Sequence, residues 1–139
     1  MTQPMIPLIR YINAQYGAAL SMLRACVEGA DATVWKAVVR QFPFWHVAYH
    51  TLWNTDHYLS PNEQSFRPQP FHREGYHLLG PPSWEPDAPY VAPDPPYDKD
   101  ELMAYLDSCW AKAKLTMDAE TEESLAAPSG FFVVRVHPV

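Results

Sequence analysis

The sequence predicts an all-α protein that forms one domain over residues 1–139, a bundle of long helices joined by a proline-rich segment. Apolar residues recur every three or four positions in three separate stretches. Ten of the 15 prolines lie between positions 61 and 96, so the helix-breaking residues are confined to one region. A chain of 139 residues has the size of a single domain with its own core.

The first helix is predicted over residues 7–28. Pro7 suits the first helical turn, and Gly29 suits the position that follows the last one. A shorter helical piece is predicted from the N-cap Asp31 to about Arg40. The apolar stripe of the first helix consists of Ile9, Ile12, Tyr16, Ala19, Leu20, Leu23, Cys26 and Val27.

The second long helix is predicted over residues 44–59, between Pro43 and the Ser60-Pro61 pair that ends it. Large apolar side chains surround its whole circumference, which indicates a helix buried on more than one side. Residues 60–97 show no sustained periodicity but carry several aromatic residues. Because disordered tethers are usually poor in aromatics, we expect an ordered excursion that covers the helices as a candidate lid.

A third helix is predicted from Asp98 to Ala119, because Asp98 and Glu101 resemble a capping box. Its apolar stripe consists of Leu102, Leu106, Cys109, Ala113 and Met117. A brief helical turn is predicted over residues 120–126. Residues 131–136 are rich in β-branched side chains but have no partner strand, so we expect an extended tail.

The composition excludes several classes of function. The net charge of −6 and the lack of a basic run argue against nucleic-acid binding. No apolar stretch approaches the roughly 20 residues that span a bilayer, and the first residues carry no basic leader, so we expect a cytoplasmic protein with no membrane partner. Cys26 and Cys109 both stand at stripe positions, which predicts reduced thiols packed in the core.

The second helix carries the main candidate site. At about 100° per residue, His46, His50 and His57 share one side of the helix. His46 and His50 have the four-residue spacing at which two imidazoles can hold one divalent ion. His57 is about 16 Å from His46 along the helix, so at most a pair can bind one ion. Val47 stands where a metalloprotease helix has glutamate, which excludes that class.

Alternative interpretations remain open for these residues. Histidines in an aromatic-rich helix are often core residues that hydrogen-bond to a carbonyl or a tyrosine. Asp56 is either an acceptor that orients an imidazole or, as we favour, a solvated or capping residue. His72 and His77 either cap the site or lie on the surface, and we favour the surface. The sequence contains no nucleophile elbow and no glycine-rich phosphate loop.

The order of these elements, with a histidine in the middle of the second helix, resembles the DinB-like (YfiT-like) superfamily over about residues 5–127. The resemblance rests on three segments: Pro-Phe-Trp-His-Val-Ala-Tyr-His-Thr-Leu-Trp at 43–53, Thr-Asp-His-Tyr-Leu-Ser at 55–60 and Tyr-Asp-Lys-Asp-Glu-Leu at 97–102. It implies a four-helix bundle, often dimeric, in which one histidine of the second helix and two of the last helix bind zinc or nickel.

The resemblance also implies an activity and a ligand. Characterised relatives include S-transferases that use low-molecular-weight thiols such as bacillithiol, and the mycothiol-dependent maleylpyruvate isomerase. Carried over to this chain, the metal ligand of the second helix falls on His50, with His46 as the alternative register. No other ligand position transfers from the family pattern.

The chain departs from the family pattern after Gly130. Only nine residues follow, and they contain the single His137, so the fourth helix is missing or replaced by a short extended tail. A bundle without this helix exposes an apolar groove, and we expect a homodimer or a docked tail to cover it. His46 with His50, or His50 with His137, remains as a metal site within or between chains.

Three functional hypotheses follow. The first is a DinB-like protein in which His50 binds a divalent metal, related to thiol-dependent S-transferases. The second is a non-catalytic helical oligomerisation or interaction protein that has lost the metal site. The third is a ligand-binding protein, and it rests on the aromatic residues Trp45, Tyr49, Trp53 and Trp84.

Overall fold

The computed structural model describes residues 7–81, 85–128 and 130–131, and its regular structure is almost entirely helical. The all-α prediction is therefore confirmed at the level of fold class. The elements are α1 (Pro7–Gly29), α2 (Ala32–Lys36), β1 (Val38–Val39), β2 (Phe42–Pro43), α3 (Phe44–Tyr58), α4 (Lys99–Ala119) and α5 (Glu122–Ala126). No helix in these ranges has both the length and the apolar character that a bilayer crossing requires.

The predicted helical piece to Arg40 is too long. The helix α2 ends at Lys36, and the strands β1 and β2 pair as a small antiparallel hairpin. Arg40 has φ = 63° within the turn of this hairpin, a conformation that cannot continue a right-handed helix. The N-cap prediction is confirmed, because the Asp31 side chain accepts a hydrogen bond from the backbone N–H of Val34.

The helix α4 packs against both α1 and α3 and is the central helix of the bundle. It runs antiparallel to α1, since Lys99 contacts Glu28 at one end and Trp110 lies 3.7 Å from the Cβ position of Gly17 further along. It runs parallel to α3, since the Cys109 thiol donates to the carbonyl of Leu52 and, further along both helices, the Lys112 ammonium donates to the carbonyl of Asp56. The chain must therefore cross back along α3 before α4 begins.

This return is made by residues 60–98, which we call the proline-rich segment. It contains no regular secondary structure in its described part, but it buries the aromatic side chains of Phe66, Tyr76 and Tyr97. Tyr97 stacks on Tyr49 of α3 with ring centroids 4.3 Å apart. The segment thus covers a side of α3 next to the one that packs on α4, and α3 is buried on two sides as predicted.

Asp56 is the buried charge that ties α3 to α4. Its carboxylate accepts hydrogen bonds from the Lys112 ammonium (2.6 Å) and the Tyr105 hydroxyl (2.8 Å), and only 2% of the residue is exposed. The prediction that Asp56 is solvated or a cap is therefore wrong. The carboxylate can be buried because α4 places the Lys112 ammonium and the Tyr105 hydroxyl beside it. These partners are distant in sequence, so no local pattern predicts the burial of Asp56.

The two cysteines differ in their surroundings. Cys109 is buried as predicted, but Cys26 is exposed, so the prediction of a core position is wrong for Cys26. The apolar stripe of α1 is wider than the contact with α4. Cys26 lies about 100° around the helix from the buried Val27, on a side that α4 does not reach.

Lys112→Ala is expected to lower the free energy of unfolding by about 3 kcal/mol, because it leaves the Asp56 carboxylate buried with only Tyr105 as a donor. Urea denaturation at pH 7 measures this change. Lys114→Ala is the matched control, because Lys114 is an exposed lysine of the same helix, and its effect should stay within about 0.5 kcal/mol. Equal effects of the two substitutions would contradict the assignment.

Candidate functional site

Five histidines meet where the proline-rich segment covers α3, and we call this region the histidine interface. His46, His50 and His57 come from α3, while His72 and His77 come from the segment. The three histidines of α3 share one side of the helix, as their spacing predicts. In the structure this side faces the proline-rich segment. His72 and His77 are half-buried, so the interpretation that they lie on the surface is wrong.

His46 is fully buried and uses both ring nitrogens in hydrogen bonds. Its Nε2 lies 2.8 Å from the carbonyl oxygen of Tyr76, which can only accept, so Nε2 carries the proton. Its Nδ1 then accepts from the hydroxyl of Tyr90 at 2.5 Å. Burial lowers the pKa of His46 below the usual 6.5, which favours this neutral form. In this arrangement His46 holds the proline-rich segment against α3.

His50 keeps one ring nitrogen available. Its Nδ1 donates to the carbonyl of His77 at 2.6 Å, so the lone pair lies on Nε2. The side-chain amide of Asn54 is 3.1 Å from this Nε2, and the ring is half-buried. A backbone carbonyl that fixes one nitrogen while the other stays unprotonated is the arrangement found in most histidines that bind metals.

Trp53 lies among the remaining histidines. The rings of His57 and His77 both stack on its indole, with centroids 4.9 and 4.4 Å away. The indole Nε1 and the Nδ1 atoms of His57 and His77 are buried and have no hydrogen-bond partner among the described residues. Burial is the main cause that lowers the pKa of His77, with smaller contributions from neighbouring histidines.

Tyr49 and His72 form the second polar contact between α3 and the segment. The Tyr49 hydroxyl is hydrogen-bonded to Nδ1 of His72, with 2.5 Å between the two atoms. Burial raises the pKa of Tyr49 and lowers the pKa of His72, so both groups are neutral near pH 7. A neutral phenol with a raised pKa is a poor nucleophile and a poor base, so this pair has a structural role.

The described residues of the histidine interface do not bring together the three ligands that the DinB-like resemblance implies for zinc or nickel. Within residues 7–81, 85–128 and 130–131, no group of three or more His, Cys, Asp or Glu side chains is arranged to hold an ion. His46 has both nitrogens in hydrogen bonds, and His50 offers one. His137 lies outside the described residues. Metal binding by His50 stays a prediction that needs ligands from elsewhere.

The cysteines do not add a nucleophile to the interface. Burial, and next the nearby Asp56 carboxylate, raise the pKa of the Cys109 thiol to about 12, so the thiolate is scarce near pH 7. Trp45 and Tyr49 are buried in the core, which leaves their faces unavailable to a ligand. Trp84 of the ligand-binding hypothesis lies outside the described residues.

Comparison of the chain with protein-family models, with curated proteins and with solved structures finds no match.

Acid should destabilise the fold through the histidine interface. Burial lowers the pKa of His46, His72 and His77 in the folded chain, so unfolding lets each take up a proton below its usual pKa of 6.5. The free energy of unfolding is therefore highest above pH 6.5 and falls as the pH decreases below it. Urea midpoints measured from pH 8 to pH 5 test this expectation.

His72→Asn is the matched variant, because an asparagine oxygen can replace Nδ1 as the acceptor for Tyr49 without titrating. Its stability should depend less steeply on pH between 6.5 and 5 than that of the unmodified chain. An unchanged slope would exclude His72 from the acid response.

Proposed function

We propose that this chain is a non-catalytic helical interaction protein that forms a homodimer through the outer face of α1. One observation carries the proposal: eight exposed, uncharged residues share an arc of about 120° along the whole helix. This outer face consists of Leu8, Tyr11, Gln15, Ala18, Ala19, Met22, Ala25 and Cys26.

Three large apolar side chains of the outer face are exposed to solvent in the single chain. The exposed fractions are 54% for Leu8, 73% for Tyr11 and 72% for Met22. Single exposed apolar residues are ordinary on protein surfaces, but a continuous apolar patch is typical of an interaction site. The face extends over 19 positions, from Leu8 to Cys26, and contains no Asp, Glu, Lys or Arg, which favours a partner helix over solvent.

The charges of α1 lie outside this face, so a second copy can pack its own outer face here without burying a charge. Arg10 and Glu28 are each nine residues, or two and a half helical turns, from Ala19, so both lie on the opposite side of the helix from Ala19. Arg24, the third charge of α1, is already paired with Asp107 of α4.

The size of the face indicates a weak dimer. A helix of 23 residues is about 34 Å long, and a third of its circumference offers roughly 400 Å² per copy. The total of roughly 800 Å² is below the 1,200–2,000 Å² of standard stable interfaces, so we expect a dissociation constant of about 1 μM or weaker. Ala18 and Ala19 at the centre let the two helix axes approach closely.

Ala19→Glu is expected to abolish the dimer, because the twofold axis would bring two carboxylates together. Sedimentation equilibrium between about 1 and 500 μM measures the association, and we expect at least a tenfold weaker constant, about 1.4 kcal/mol. Ser108→Glu is the control, since it adds the same charge at an exposed position of α4 and should leave association unchanged.

The position of the interface has its own test. Arg10→Glu should leave association unchanged, because Arg10 lies on the side of α1 opposite Ala19 and outside the outer face. An unmodified chain that stays monomeric at the highest concentration would overturn the proposal. Dimerisation that Ala19→Glu leaves intact would place the interface elsewhere.

Divalent-metal binding through His50 is the second candidate function. It is supported by the Nδ1 hydrogen bond to the His77 carbonyl, which leaves Nε2 as an unprotonated donor atom. The other ligands must come from outside the histidine interface, from residues such as His137 or from a second chain. Transfer of groups to a low-molecular-weight thiol, which the DinB-like resemblance implies, belongs to this candidate alone.

Metal content per chain, measured by plasma mass spectrometry on untagged protein, tests this candidate. We expect zinc or nickel near stoichiometry in the unmodified chain and its loss in His50→Ala. Thr51→Ala is the control, because Thr51 is the exposed neighbour of His50 and should keep the metal. Equal metal content in the unmodified chain and His50→Ala would exclude His50 as a ligand.

A further inference from the structure

A second apolar surface lies next to the outer face of α1, about 110° around the helix from its middle. It is a groove of about 650 Å³ between the beginning of α1, the end of α3, the end of α4 and the helix α5. Its lining includes Ile12, Tyr58, Leu115 and Leu125, and the last three are 60%, 72% and 39% exposed. This volume is in the range of cavities that bury several side chains or a small ligand.

The chain leaves its described part at the rim of this groove. The ring of Phe131 lies 5.1 Å from the ring of Tyr58, which lines the groove. Gly130 passes so close to Pro61 that a Cβ atom there would overlap the Pro61 carbonyl oxygen. Pro61 also lines the groove. These two contacts place the start of the following residues directly beside the apolar lining.

The residues that follow Phe131 have the composition that such a groove accommodates. Residues 132–139 read Phe-Val-Val-Arg-Val-His-Pro-Val, with five apolar side chains other than proline and one cation. The groove contains Glu120, and its lysine, Lys112, is already paired with Asp56. The free charge of the lining is therefore negative, opposite to that of Arg135. Eight extended residues reach up to about 26 Å, enough to cross the groove from its rim.

We propose that residues 132–139 of the same chain dock in this groove, with their apolar side chains against Ile12 and Leu115 and with Arg135 near Glu120. Docking within one chain does not depend on concentration, because the segment is tethered at the rim. The inference does not rest on the proposed dimer, which uses the outer face of α1 and not the groove.

Cysteine labelling tests the docking. In a Cys26→Ser background, Leu115→Cys places a thiol in the groove, and Ser108→Cys places one two turns earlier on the same side of α4. Each is made in the full chain and in a chain that ends at Phe131. Maleimide should label the thiol at position 115 about tenfold more slowly in the full chain, while the thiol at position 108 reacts equally fast in both.

A second measurement covers the case in which the shortened chain folds poorly. Val134→Asp in the full chain should raise the labelling rate at position 115 to that of the shortened chain, with an unchanged circular-dichroism spectrum. Equal rates at position 115 in the full and shortened chains would overturn the docking. Protection at position 115 that appears only at high protein concentration would also overturn it, because a second copy would then fill the groove.

Discussion

The fold depends on how the proline-rich segment satisfies its backbone. A stretch of about 40 residues whose described part forms neither helix nor sheet must find donors for its buried carbonyls, since unpaired ones are costly. The imidazoles of α3 supply them: His46 donates to the Tyr76 carbonyl, and His50 donates to the His77 carbonyl. Within the segment, the Tyr97 hydroxyl donates to the Phe71 carbonyl. An irregular segment can therefore cover α3 as tightly as a helix would.

This use of the histidines limits the chemistry that the same side chains can perform. The ring of His46 bridges a carbonyl and a tyrosine hydroxyl, so both of its nitrogens are already in hydrogen bonds. His50 differs only because its second partner is the amide of Asn54, which an incoming ligand can displace. Two exposed apolar surfaces of the bundle involve α1: its uncharged outer face, and the groove that it forms with α3, α4 and α5.

Much of the helical architecture was predictable, because helix formation depends on residues close in sequence. The three- and four-residue spacing located all three long helices, and the caps Asp31 and Asp98 accept the backbone hydrogen bonds that their positions predict. The side of α3 that carries His46, His50 and His57 was predictable for the same reason. The DinB-like resemblance, in contrast, stays a prediction, and His137 lies outside the described residues.

The sequence by itself determined where the helices run, which side of each is apolar and which histidines share a side, because these depend on a fixed 100° rotation per residue. Only the tertiary structure decided which apolar positions are covered and which polar groups are paired. Cys26 is exposed because α4 reaches only part of the α1 stripe, and Asp56 is buried because Lys112 and Tyr105 meet it from another helix. Both outcomes depend on residues distant in sequence, whose meeting no local pattern encodes.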